Sequence, residues 1–360
     1  MNIHRGGAAA RAILALLISG LAVTVTGCSQ ATASATGDPP ATASSPPAVP
    51  SAAAAAALGT QCSGAGVIRV SSAGGLHRAL AGARPGATIV LAPGTYDGNF
   101  TASRSGTPTA PVTLCGPRGA VLDGGSTSHG YTLHLDHASW WRVEGFTVEG
   151  GQKGVVADGS DDDLFYGLSV HSTGDEAIHL RDFSSHDTIS HCVVGDTGLL
   201  MSFFGEGIYI GSAHKNWCRY SGCQPDASDD NVIEDNTVGG TTAENIDIKE
   251  GTTGGQITGN HFDGTGMVGS AATAWINVKG NDWTITGNTG VDSIGDGFQV
   301  HQVYPGWGIG NVFRANVARV NGPGYGFYVQ SKRLRTVVAC DNRVIGAAHG
   351  FSTIACRAAL

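Results

Sequence analysis

The chain has 360 residues, 41% of them hydrophobic and only 14% charged, with 55 glycines and a net charge of −8. Beyond the N-terminal region no apolar run is long enough to span a bilayer. The acidic balance argues against a nucleic-acid partner, and the remaining 300 or so residues are enough for one elongated domain.

Taken in chain order, Arg5 and Arg11 precede an apolar run from Ala12 to Val23, and Val25-Thr26-Gly27-Cys28 follows. That is the pattern of an export signal. Residues 1–28 resemble a bacterial lipoprotein signal, which implies cleavage before Cys28 and acylation of its thiol; an ordinary secretory cleavage nearby is the alternative. Residues 29–60 are Ala, Ser, Thr, Pro and Gly with one charge, Asp38. Such a segment cannot bury a core and reads as a disordered tether. The expected location is extracellular, with contact to the membrane only through the lipid anchor. An exported chain can hold disulfides, and the expected pairs are Cys62 with Cys115, Cys218 with Cys223 and Cys340 with Cys356. Cys192 then remains as a buried thiol. No paired CxxC spacing is present, so a thiolate metal site is not expected.

From residue 61 to 360 the chain repeats. After an apolar helical pattern at Leu76, Ala79, Leu80 and Ala83, the segments ISHCVVGD at 189, IEDNTVGG at 233, ITGNHFDG at 257, ITGNTGVD at 285, FRANVARV at 313 and ACDNRVIG at 339 align. They place Asn236, Asn260, Asn288, Asn316 and Asn342 in one register with steps of 24, 28, 28 and 26, preceded by Phe146, Leu168 and Cys192. A buried column explains the mixture: stacked Asn side chains bond one another and the turn backbone, while Phe, Leu and a thiol fill the same place by packing. A second strand recurs in every rung, from KGVVADG at 153 to AHGFSTIA at 348, and alternates apolar with polar. Period-2 alternation in short units without helices between them predicts a parallel solenoid.

GLHRALAGARPGATIVLAPGTYDG, then GTPTAPVTLCGPRGAVLDGG, then Asn-bearing rungs resemble the pectate-lyase-like parallel β-helix superfamily. The resemblance covers roughly residues 62–360. It implies an all-β fold, a single-stranded right-handed parallel β-helix with a short N-terminal capping helix, and leaves open whether the chain is a lyase, a glycosidase, an epimerase or non-catalytic.

If the apolar members of the second strand point inward, the interleaved residues stand outward in columns about 4.8 Å apart. The middle column reads His179, Tyr209, Asp247, Asn277, Gln299, Tyr328 and Ser352, and beside it stand Arg181, Lys249, Lys279 and His301. Glu176, Glu206, Glu244 and Asp296 line the other edge, with Asn245 and Trp275 between. Trp275 is a candidate aromatic platform for a sugar ring. Two insertions, from 213 and from 303, follow the basic column and are expected to overhang it with Trp217, Arg219, Tyr220, Tyr304 and Trp307. The acidic run Asp161-Asp162-Asp163 reads as a solvated turn.

Opposite charges on the two edges of one face suit an acidic polysaccharide. Cleaving a polyuronate by β-elimination requires neutralising a carboxylate and placing a base near the adjacent proton, and in the lyases this chain resembles calcium and a Lys or Arg share those tasks. Glu206, Glu244, Asn245 and Asp247 are then the candidate calcium ligands. Lys249 is the candidate base, its pKa lowered by Lys279, with Arg181 or His301 binding substrate carboxylate or assisting protonation. His179, Tyr209, Trp275, Asn277, Gln299, Tyr328, Trp217 and Trp307 are candidate substrate contacts. Two alternatives share the face: a hydrolase or epimerase using two of its carboxylates, or a non-catalytic cell-surface glycan-binding protein. The chain is read as a monomer.

Overall fold

A computed structural model of the chain describes Cys62 and residues 67–358. The signal, Cys28 and the tether lie outside the described residues. Three parallel sheets of 11, 10 and 10 strands are each built from one strand per rung in strict sequence order. Each rung therefore contributes one strand to each sheet and climbs to the next, which is a parallel β-helix.

What the sequence aligns as one segment is two strands. Thr188–Ser190 and Val193–Gly195 belong to different sheets, as do Val232–Glu234 and Thr237–Val238. Between them stands a residue in the left-handed region, with φ of 54° at His191, 53° at Asp235, 67° at Gly259 and Gly287, and 53° at Ala315. That conformation turns the chain from one sheet into the next.

The next residue is the Asn column, and its hydrogen bonds explain its repetition. Asn236 N–H donates to Asn260 Oδ1 at 2.9 Å, Asn260 to Asn288 at 2.9 Å, Asn288 to Asn316 at 3.0 Å and Asn316 to Asn342 at 2.9 Å. Each Nδ2 also donates one rung back, as Asn236 does to Ile189 O at 2.9 Å. Cys192 caps the file: its N–H donates to Asn236 Oδ1 at 2.8 Å and its Sγ–H lies 3.4 Å from Ser190 O. Burial, working against nearby backbone donors, pushes the thiol up to about 11, so it stays protonated.

The helix Ala73–Ala81, capped by Ser72 Oγ, packs on the strand Phe100–Ala102 and buries Leu76, Ala79 and Leu80. All three expected disulfides are formed, and Cys192 is free and buried. Two local expectations fail. Ser352 pairs with Phe327 rather than Tyr328, because Thr353 Oγ1 replaces the backbone as hydrogen-bond partner of Val329 N–H and C=O, at 2.8 and 2.9 Å. Asp163 is buried, not solvated: it accepts from Trp141 N–H at 2.7 Å, and its own N–H donates to Asp187 Oδ1 at 2.8 Å, whose N–H in turn donates to Asn231 at 2.8 Å.

Candidate active site

The third sheet carries the outward columns. Its register aligns His179, Tyr209, Asp247, Asn277, Gln299 and Tyr328. Gly211, Lys249, Lys279, His301 and Gln330 each donate N–H to the preceding rung's strand, so the second column is in register as well.

The face is much less exposed than strand alternation alone suggests, since Asp247 is 1% and Lys279 8% exposed. The two insertions pack against each other beside this face. Trp217 lies edge-on to Tyr304 with ring centres 5.2 Å apart, and His214 is 4.9 Å from Tyr304. Glu250 Oε1 anchors the first insertion by accepting from the N–H and Nδ1–H of His214, both at 2.7 Å. Tyr220 from the same insertion lies 4.1 Å from the Arg181 guanidinium.

At the centre, Asp247 bridges two ammonium groups, Lys249 Nζ on Oδ2 and Lys279 Nζ on Oδ1. Lys249 Nζ also sits 4.6 Å over the Tyr209 ring. Carboxylate oxygens of Glu206, Glu244 and Asp247 lie within 4.8 Å of one another. Glu244 Oε1 accepts from Asn277 Nδ2 at 3.0 Å, whereas Glu206 Oε2 is buried without a hydrogen-bond partner.

Burial alone would lower the Lys249 pKa, but the Asp247 carboxylate outweighs it and holds Lys249 well above the ordinary lysine value. This overturns the expectation that Lys279 lowers it: the nearest charge is a carboxylate, not an ammonium. Burial likewise opposes ionisation of Asp247, and Lys249 and Lys279 reverse the balance to keep it ionised. Glu206 has no such partner, so burial and the neighbouring Glu176 push it well above the usual carboxylate range. Burial, then the charge of Lys153, lowers His179 to about 3. That ring is neutral, donating from Nε2 to Gly211 O at 2.9 Å, with its centre 4.4 Å from Tyr209.

Lys249, Lys279, Tyr209, Asp247, Glu206 and Glu244 thus converge, with His179, Asn277 and His301 beside them. Others do not join them as expected. Arg181 is buried and spent on Asp158, from Nε at 2.5 Å and Nη2 at 3.0 Å, and on the Tyr131 hydroxyl at 3.0 Å, so its guanidinium is a structural clamp. Trp275 lies wholly in the core, its Nε1–H donating to Val291 O at 3.0 Å. It fills space left by Gly290 and Gly297, where an added Cβ would meet its ring at 2.4 and 2.8 Å. It is therefore no sugar platform. Trp217 is buried inside its own insertion, donating to Ser212 O at 3.0 Å. Trp307 is half-buried at the foot of the second insertion, where its carbonyl accepts from Gln302 Nε2 at 3.2 Å. The Gln299 amide is committed to Asp296 at 2.7 Å and Thr273 at 2.9 Å, while Tyr328 is half-buried beside His301. Asn245 donates to Thr241 Oγ1 at 3.0 Å and Asp263 O at 3.2 Å.

Sequence reasoning missed Asp158, which pairs with Arg181 across adjacent rungs, and Lys153, which pairs with Glu176. Both sit in KGVVADG, and extending the column register by one rung finds Asp158.

As arranged, the acidic cluster does not fit a hard dication. Both Asp247 oxygens already hold ammonium groups, Glu244 is bonded to an amide, and two positive charges stand within the would-be ligand shell.

No family model and no curated protein matches the chain. Solved structures do. A pectate lyase, Pel9A, superposes with a TM-score of 0.53 at 15% identity, covering 75% of this chain and 72% of its own. The periplasmic alginate epimerase AlgG gives 0.51 at 11%, covering 75% of this chain and 61% of its own. At those identities the likeness concerns the fold alone. An alginate lyase from Paenibacillus sp. str. FPU-7 is similar in another degree: TM-score 0.72 and 35% identity over 79% of this chain and 97% of that enzyme. The chain belongs to the family of this alginate lyase, a family of parallel β-helix polysaccharide lyases.

Proposed function

We propose that the protein cleaves an alginate-type polyuronate by β-elimination at Lys249 and Tyr209. The observation that carries this is the Lys249–Asp247–Lys279 bridge on the cleft face, in a chain 35% identical to an alginate lyase. A substrate carboxylate entering there replaces Asp247 as partner of the ammonium groups, and its neutralisation acidifies the C5 proton. That proton leaves, a C4–C5 double bond forms, the C4–O4 bond breaks and O4 takes a proton. Asp247 holds Lys249 protonated at rest, which suits Lys249 to deliver the proton to O4. Tyr209 is the adjacent group to receive the C5 proton, and it does so as the phenolate, after its own hydroxyl proton has passed to solvent. Burial keeps its hydroxyl protonated in the free protein, and the Lys249 charge acts against that.

Calcium at Glu206, Glu244 and Asp247 is the second reading, favoured by the unpartnered Glu206 Oε2. We place carboxylate neutralisation on the lysines, since they already supply two positive charges, and route no step through an ion. The signal and Cys28 support action outside the cell on a lipid tether. The test is incubation with sodium alginate, pectate and a glycosaminoglycan, following the ultraviolet absorbance of the unsaturated product. Tyr209→Phe and Lys249→Met are each expected to lose at least about 100-fold in rate. Full activity in either variant refutes the assignment, and reducing ends without unsaturation would mark a hydrolase.

A further inference from the structure

In the column Lys249, Lys279, His301, the first two side chains are committed to Asp247. His301 is held differently. Its Nδ1 lies 2.9 Å from Asn277 Oδ1, and Asn277 Nδ2 lies 3.0 Å from Glu244 Oε1. The amide turns its NH2 to the carboxyl group, so its oxygen faces the imidazole and can only accept. Nδ1 therefore carries the hydrogen, and in the neutral ring Nε2 is a bare lone pair. No group among the described residues hydrogen-bonds Nε2, and Nε2 is not one of the buried atoms left without a partner. It is thus open to solvent.

The surroundings keep the ring neutral and fixed. Burial and the Lys279 charge hold its pKa below 6.5, against Asp247 and Asp296 acting the other way. Tyr328 packs with its ring centre 5.3 Å away. The next residue, Gln302, ties the foot of the second insertion, its N–H donating to Gln330 Oε1 at 2.7 Å and its Nε2 to Trp307 O at 3.2 Å.

Resting on the lyase reading above, we propose that His301 is a substrate-binding residue whose Nε2 accepts a hydrogen bond from a hydroxyl of the sugar next to the one cleaved. Two rungs separate it from Lys249, about 10 Å along the cleft, which is beyond the ring held at Lys249. The chemistry fits the division of labour in the column. Ammonium groups match a carboxylate; a neutral ring presenting a lone pair matches a hydroxyl and repels a carboxylate. Glu244 and Asn277 are positioning residues for it.

On sodium alginate, His301→Ala is expected to raise KM about tenfold, the loss of one hydrogen bond, with kcat within about twofold. His301→Gln, whose Oε1 can accept, is expected to recover much of that KM. Asn277→Leu, which frees the tautomer, is expected to raise KM as well. Nitrogen-15 NMR of the imidazole in the parent protein reads the tautomer without any turnover, and Nδ1–H is expected. An Nε2–H tautomer, or an unchanged KM in His301→Ala, overturns the proposal. If the parent forms no unsaturated product from any polyuronate, the lyase reading fails instead. Calorimetric binding of alginate oligomers to parent and His301→Ala then decides His301 on its own: about tenfold weaker binding supports it, and equal binding overturns it.

Discussion

Asp163 and Asp187 occupy positions that Asn231 fills one rung on, and the comparison allows a substitution to be worked out in advance. Asn231 accepts through Oδ1 and donates through Nδ2 to Ser184 O at 3.0 Å and Ser228 O at 3.1 Å. Asp187 has only the first of these functions: its Oδ1 accepts from Asp163 N–H, and its Oδ2 is buried with no partner. Burial, then the neighbouring Asp163, raises its pKa well above the usual value. Because the folded value is the higher one, folding takes up a proton, and wild-type stability falls as pH rises from about 3.9 toward the folded pKa. Asp187→Asn removes that proton uptake and replaces a carboxyl, which donates only while protonated, with an amide that donates at any pH. The expected gain is about 1 kcal/mol from the hydrogen bond, plus up to about 1.4 kcal/mol per pH unit across that window. For a domain of this size each kcal/mol is about 2–4 °C in melting temperature. Thermal melts of parent and variant at pH 5 and pH 7 should therefore show a stabilisation that is larger at pH 7. A variant no more stable than the parent at pH 7, or a gain independent of pH, refutes the reasoning.

Asp247→Asn leaves two mostly buried ammonium groups sharing a neutral amide, so activity should fall and added calcium should not restore it; recovery with calcium would instead assign the carboxylate to a metal. A chelator should likewise leave turnover of alginate by the parent within about twofold, and abolition that calcium reverses would move neutralisation from the lysines to an ion. Lys249→Ala should destabilise as well as inactivate, by about 1–3 kcal/mol in urea unfolding, because it removes one partner of a buried carboxylate; an unchanged midpoint would mean that Lys279 alone satisfies Asp247.

The Asn column is legible in the sequence because one residue type recurs at nearly constant spacing and its hydrogen bonds need that type. The division of each rung into three strands is not. The residue that turns the chain from the first sheet to the second is His191, Asp235, Gly259, Gly287 or Ala315, and what those share is a left-handed backbone conformation, found also at Gly145 and Gly167 ahead of Phe146 and Leu168, rather than a side chain. Trp275 is misplaced for a related reason. Strand alternation does not extend to the first residues of the strand, where the chain is still leaving a corner and the side chain drops into the core beside two glycines.

For the site, alternation names the correct face and columns, and the column register alone brings Lys249, Asp247 and Lys279 together. It cannot say what covers the face. Period 2 distinguishes one side of a sheet from the other, but a residue on the outer side becomes solvent-exposed or buried according to loops whose packing has no period. The two insertions meet through His214, Trp217 and Tyr304, residues more than 80 positions apart at the extremes, and the ion pairs of Asp247 are buried rather than exposed. That difference reverses the chemistry assigned to Lys249. Exposed beside Lys279, it reads as a lysine with a lowered pKa and a free lone pair; sheltered on Asp247, it is a charged group whose proton can be given. The column finds the lysine, and its role depends on the one neighbour it shares with Lys279.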